Sequence, residues 1–168
     1  MRINIKKLLF YFIAALVIFG GQFLLSNGRL TGPVPQIKQQ TIAGTHVMEV
    51  ITKGSSMVYF WAEWCGLCKM MQDPVSEVLK DYPGITVAVK SGDSEQVEKY
   101  MQGKALNWKV VNDPNGKISD QFKTKGVPAV FFINEKGNIV LTTVGYTSEI
   151  GLRLRLWIVG VSSSFGLE

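Results

Sequence analysis

From Met57 to Ala62 the chain runs Met-Val-Tyr-Phe-Trp-Ala without a break in its apolar and aromatic character, the pattern of a buried strand. Lys69 to Asp81 then carries apolar positions at Met70, Met71, Val75, Val78 and Leu79, a spacing that predicts a helix kinked near Pro74 and closed by Pro83-Gly84. Ile85–Lys90 is rich in β-branched residues and predicts a second strand. Ser94 is the expected N-cap of a helix from Glu95 to Met101. Trp108–Val111 predicts a short strand, Asn112–Gly116 a turn, and Lys117–Phe122 a helix. Two apolar runs, Gly126–Ile133 and Ile139–Val144, flank the Gly-containing turn Glu135–Asn138 and predict a β-hairpin. Thr147 or Ser148 caps a last helix through Leu152, Leu154, Leu156 and Trp157, with Arg153 and Arg155 toward solvent. Upstream, Ile42–Met48 predicts a short edge strand, followed by a helical turn at Glu49–Ile51. Strands alternating with helices and ending in a hairpin give the α/β class with a mixed sheet.

The N-terminus has a different pattern. Leu8 to Leu25 is uncharged, with Gln22 its one clearly polar side chain, and Arg2, Lys6 and Lys7 precede it. Its 18 residues sit at the lower end of what spans a bilayer as a helix. It is read as an uncleaved transmembrane anchor, with a cleaved signal peptide as the alternative. The basic residues at its start keep that end in the cytoplasm and send the rest of the chain outward. The organisation expected is an anchor over 1–30, a proline-containing linker over 31–41, one domain over 42–160, and a frayed tail over 161–168 that includes Ser162–Ser164. The formal net charge of +5 does not change this picture. Four of the 18 Lys and Arg lie within residues 1–32, where there is no acid, so the rest nearly balances its 13 acids. No basic stripe with interleaved aromatics is present, which argues against nucleic acid as a partner.

The chain has two cysteines, Cys65 and Cys68, between the strand expected over Met57–Ala62 and the helix expected over Lys69–Asp81. There the first-turn N–H groups and the helix dipole favour a thiolate, the form that attacks disulfides. Other uses of the pair stay open. A closed zinc site needs four ligands, and His46 is the sole histidine. A structural disulfide across so short a loop removes little entropy from the unfolded chain. Copper(I) held by the two thiolates, with Met70 or Met71, suits soft-ligand preferences, although both methionines read first as helix core. Dithiol–disulfide chemistry fits the order of strand, pair and helix best, and needs no cofactor.

Phe60-Trp61-Ala62-Glu63-Trp64-Cys65-Gly66-Leu67-Cys68-Lys69-Met70 resembles the active-site segment of thioredoxins, with Leu67 where proline is usual. Gly126-Val127-Pro128 resembles the family's cis-proline loop, although a strand-entry proline with a trans bond is the plainer reading of Pro128 alone. The resemblance covers residues from about 42 to 160. About sixty residues separate Cys68 from Pro128, and an inserted helix and strand over Glu95–Val111 would account for the excess over plain thioredoxins. With the anchor, this resembles the extracytoplasmic TlpA/ResA-type thioredoxins, and in overall look the copper-sensitivity suppressor D proteins.

The resemblance implies a thioredoxin fold behind a transmembrane helix, in a bacterial inner membrane with the domain in the periplasm. It implies Cys65 as nucleophile, Cys68 as resolving thiol, and a substrate groove formed by Trp64, Gly66, Leu67, Val127 and Pro128. The partners expected are extracytoplasmic proteins carrying disulfides or thiols, and a transmembrane electron carrier. Two departures bear on mechanism. Tyr59 stands where thioredoxins bury an aspartate, and Met71 where cytochrome-maturation relatives often place a glutamate. Glu63 is the nearest remaining carboxylate, and Lys69 and Lys90 are cationic candidates for steadying a thiolate. Leucine at position 67 offers neither charge nor donor, which tilts the expectation toward a reductase or isomerase.

Overall fold

A computed structural model describes residues 31–165 of the chain, with side chains through residue 162. The expected anchor over 1–30 lies outside the described residues, and among those described no helix is long and apolar enough to cross a membrane.

Six strands form one mixed sheet: β1 (Gly32–Pro33), β2 (Ser56–Trp61), β3 (Gly84–Val89), β4 (Val110–Asp113), β5 (Ala129–Ile133) and β6 (Asn138–Val144). Their spatial order is β1-β6-β5-β2-β3-β4. The pairs β2–β3 and β3–β4 are parallel, and the other three are antiparallel. Every residue of β2, β3 and β5 is buried, as strands covered on both faces should be. One face packs beneath α1 (Val47–Ile51) and a short helix, α5 (Lys117–Gln121), through Val58, Phe60, Ile118 and Phe122. The other packs beneath α3 (Gln72–Asp81), α4 (Ser94–Gly103) and α6 (Glu149–Phe165) through Tyr59, Trp61, Val75, Val97 and Leu152. A mixed sheet with helices on both faces fits the thioredoxin fold that the resemblance implied, and α4 and β4 are the helix and strand expected over Glu95–Val111.

Several elements differ from the sequence expectation. Ile42–Met48 forms no strand: the chain makes a single bridge between Gln40 and His46 and turns directly into α1. The edge strand is instead β1, drawn from the stretch expected as linker, which also buries Val34 and Ile37. The expected kinked helix is two helices, α2 (Gly66–Met70) and α3, meeting at Met71. Pro74 explains the break, because it has no N–H for the Met70 carbonyl and its ring crowds that oxygen. Asp93, not Ser94, caps α4. Its carboxylate accepts from the Gln96 N–H at 2.8 Å and the Gln96 side chain answers the Asp93 N–H at 2.8 Å, a capping box that Ser94 cannot make from inside the first turn. Val110 begins β4 two residues later than expected, leaving Trp108 free to turn into the core. Helix α6 runs on through the serines expected as a frayed tail.

Candidate active site

Strand β2 ends at Trp61, and Cys65 stands at the N-cap of α2 with extended backbone (φ −85°, ψ 112°). Cys65 and Cys68 are joined as a disulfide with Cα atoms 5.2 Å apart. The Cys68 N–H points at Cys65 Sγ across 3.2 Å, so the first turn of the helix is aimed at that sulfur. In the reduced state the same N–H meets a thiolate, and charge-assisted hydrogen bonds of this kind are the stronger ones. Both cysteines are buried, Cys65 at 7% exposure and Cys68 at 2%, so the first is the one closer to solvent.

The Val127–Pro128 peptide is cis, as the resemblance implied. It brings the Val127 carbonyl oxygen to 3.6 Å from Cys65 Sγ. The Pro128 carbonyl is taken up by the Gly145 N–H at 2.8 Å, which ties the loop to the far end of β6. Trp64 is exposed beside the pair, and its indole N–H donates to the Lys90 carbonyl at 3.1 Å. Lys90 holds a left-handed backbone conformation (φ 47°), and the next residue, Ser91, accepts the Glu63 N–H at 3.1 Å. The bend after β3 therefore grips both residues in front of Cys65. Of the expected groove residues, Trp64, Gly66 and Leu67 are exposed around the pair, Val127 is half-buried, and Pro128 is buried.

Met70 corrects one expectation. It does not pack in the helix core but is 62% exposed, on the last residue of α2, whose buried side chain is Cys68. Met71 is fully buried, as expected.

Beneath the pair lies an aromatic floor in place of a carboxylate. Tyr59 is fully buried with its hydroxyl 3.5 Å from the Cys68 carbonyl, a weak contact at best. Burial, and behind it the neighbouring Tyr100, push the Tyr59 phenol well above its ordinary value, so it stays protonated and cannot act as a base. Trp108 meets the rings of Tyr59 and Trp61 edge-on, with centroids 5.9 and 5.5 Å away, and Tyr100 stacks on Trp61 at 5.6 Å. Two further bonds fix this floor to α3: Gln72 to the Tyr100 hydroxyl at 2.9 Å, and the Trp108 indole N–H to Ser76 Oγ at 2.9 Å. Tyr100 and Trp108 come from the inserted segment. Sequence reading missed them as part of the site; the isolated Trp108 before β4 was the available signal. Asp113 is a buried carboxylate near the same end of the sheet, but both its oxygens are used on the Ile118 and Ser119 N–H groups. A cleft of about 250 Å³, lined by Ile42, Glu98, Met101, Leu106 and Trp108 among others, opens on the insertion away from the sulfurs. Among the described residues no cluster of three or more His, Cys, Asp or Glu could hold a metal.

Comparison with known proteins agrees with this geometry. Residues 31–142 match the AhpC/TSA family. A thioredoxin-like protein of Haemophilus influenzae is 31% identical over 103 residues, which span 61% of each chain. The thiol-disulfide oxidoreductase ResA of Oceanobacillus iheyensis is 26% identical over 108 residues, 62% of this chain and 56% of that one. The chain thus spans roughly three-fifths of the length of these relatives. A crystal structure of a thiol:disulfide interchange protein of the thioredoxin family from Chlorobium tepidum superposes with a TM-score of 0.65 at 20% identity, over 77% of this chain and 97% of the other. That likeness establishes the fold.

Proposed function

The chain belongs to the AhpC/TSA family, and we propose that it is a thiol–disulfide oxidoreductase, tethered to the bacterial inner membrane through residues 1–30, that reduces disulfides in extracytoplasmic proteins. The observation that carries the reading is the Cys65–Cys68 pair at the start of α2, with the Cys68 N–H on one side of Cys65 Sγ and the Val127 carbonyl on the other.

In this reaction the Cys65 thiolate attacks one sulfur of a substrate disulfide, and the other substrate sulfur leaves as a thiolate. The Cys68 thiolate then attacks Cys65 Sγ and breaks the mixed disulfide. Substrate leaves as a dithiol and the Cys65–Cys68 disulfide forms, so two electrons have moved from the pair to the substrate. Val127 offers its backbone beside the sulfur to an extended substrate chain, and Trp64, Gly66 and Leu67 form the opposite wall. Returning the pair to the dithiol needs an electron donor, which for an extracytoplasmic domain is a carrier crossing the membrane.

The test uses the full chain in mild detergent. Cys65→Ser abolishes disulfide reduction, while Cys68→Ser accumulates mixed disulfides with natural partners; turnover by Cys65→Ser would refute the assignment. A reduction potential near about −270 mV supports a reductase, and one near about −120 mV reverses the direction. The narrower kinship with copper-sensitivity suppressor D proteins belongs to the same proposal. Titration of the reduced chain with copper(I) tests it, with the two thiolates as the soft donors.

A further inference from the structure

Helix α6 is apolar on two opposite faces. Leu152, Leu156 and Val159 are fully buried against the sheet and α3. Ile150, Leu154, Trp157 and Ile158 are exposed, Ile150 at 79% and Trp157 at 60%. At about 100° per residue these four fall on one stripe, nearly opposite the buried one. Val144 and Tyr146, which precede the helix in sequence, are exposed too. Arg153 and Arg155 lie on its two flanks. Arg153 is paired with Glu149 and Asp81, and Arg155 donates to the Gly151 carbonyl. A contiguous apolar stripe of this size on a folded domain marks an interaction surface.

The chain's own tether indicates what covers it. If residues 8–25 span a bilayer, six residues, 26–31, separate that span from β1, a reach of roughly 20 Å when fully extended. Gly32 pairs with Ile139 at the beginning of β6, next to β5 and its Ile133 partner. At that same end of the sheet α6 finishes, because a Cβ on Gly160 would lie 2.9 Å from Ser55 Oγ, just before β2. The chain therefore enters the domain at the end of the sheet where α6 finishes, beside β6, which α6 contacts. Helix α6, about 25 Å long, is one layer away from the tethered edge. Its stripe carries Trp157, an aromatic residue that favours the headgroup level, and has arginines at the waterline.

We propose that α6 lies flat in the interface of the lipid bilayer, with Ile150, Leu154, Trp157 and Ile158 in the boundary between headgroups and acyl chains, so that the tethered domain is held on its side. Gly145, four residues before α6, bonds the Pro128 carbonyl, so this orientation keeps the Cys65–Cys68 pair alongside the membrane, facing partners embedded in it. The proposal rests on the anchored reading given above.

The test is tryptophan fluorescence of the full chain reconstituted into phosphatidylcholine–phosphatidylglycerol vesicles with brominated acyl chains. The four tryptophans are Trp61, Trp64, Trp108 and Trp157, so the apolar N-terminal segment contributes none. Bromine is expected to quench part of the emission, and that quenched part is lost in Trp157→Phe and reduced in Leu154→Glu, while disulfide reduction persists in both. A chain that floats with the vesicles but shows no quenching, or whose quenching survives Trp157→Phe, overturns the docking and leaves the anchor standing. Pairing of two copies through α6 would show as protected, unquenched Trp157 and would likewise overturn it. A chain that does not float with the vesicles at all overturns the anchor and the docking together.

Discussion

Replacing Tyr59 by phenylalanine isolates the consequence of an aromatic floor where an acid is usual. The phenol is fully buried and its proton is retained in the folded state well beyond the ordinary range, first through burial and then through Tyr100. In the unfolded chain the same phenol titrates near pH 10. A folded-state value raised above the unfolded one means the folded chain holds more protons over the window between them. Its contribution to stability is therefore complete below about pH 10 and is lost as pH rises above it. At pH 11, with the buried phenol still protonated, the loss is about 1.4 kcal/mol. Urea unfolding of the full chain in detergent, at pH 7 and pH 11, measures it as a double difference. Tyr59→Phe removes only a long hydroxyl contact, so the two proteins should differ little at pH 7. At pH 11 the wild type should fall relative to the variant by about 1.4 kcal/mol, a shift of roughly 0.5–1.4 M in urea midpoint. Other tyrosines and the lysines cancel in the comparison. An equal loss in both proteins between pH 7 and pH 11 would refute the argument, since it would mean that the Tyr59 phenol ionises in the folded state as easily as in water.

Trp64→Phe keeps an apolar ring but loses the bond to the Lys90 carbonyl. Because the indole is exposed, kcat/KM for a protein disulfide should fall only about two- to fivefold, and an unchanged value would remove Lys90 from the positioning of the groove. Gly84→Ala places a Cβ 2.7 Å from Leu79 Cδ2 and 2.9 Å from the Met57 carbonyl oxygen, so it should cost about 1–3 kcal/mol in thermal or urea unfolding. Leu67→His supplies a cationic donor beside the sulfurs and should raise the reduction potential by about 30 mV or more, read by equilibration with a glutathione buffer; no change would deny position 67 a part in setting it. With no carboxylate free beneath Cys68, resolution of the mixed disulfide should speed up about tenfold per pH unit while the thiol is un-ionised. Stopped-flow rates that stay flat from pH 5 to pH 8 would show a base that the described residues do not reveal.

The strands that carry the site were legible because they are buried on both faces. Met57–Ala62 and Ala129–Ile133 admit no polar residue, and a continuous apolar run bounded by turns leaves little choice of structure. What failed to show was decided by contacts distant in sequence. Gly32 and Pro33 have no strand pattern of their own and pair because β6 presents an open edge to them. Ile42–Met48 was expected as an edge strand, yet Val47 is drawn into the helix whose Val50 and Ile51 fill the core beside β2 and β3. At the start of α4 two residues compete for one role, and Asp93 wins because Gln96 stands at the third helical position to complete the reciprocal bond. Pro74 signalled a disturbance, but a kink and a full break differ only in whether Met71 leaves the helix, and the proline alone does not decide that.

The same division runs through the site. The cysteine pair is local in sequence, so its spacing alone brought it to attention, whereas Trp64 and the Val127–Pro128 loop, about sixty residues on, were marked by the resemblance to thioredoxins. That no acid lies beneath the pair could be read directly from Tyr59 and Met71. What takes the acid's place could not, because Tyr100 and Trp108 arrive from an insertion more than thirty residues downstream of Cys68 and are locked by Gln72 and Ser76 on a different helix. This substitution has a chemical consequence. A buried carboxylate would be costly to hold charged among four aromatic rings, and neutral it would compete poorly for the proton of Cys68. The aromatic floor gives up that assistance and gains a rigid, dry support for α2 and α3. Catalytic leverage then shifts to the groups that surround Cys65, the helix N–H and the peptide carbonyl of Val127, both fixed by backbone and neither dependent on pH.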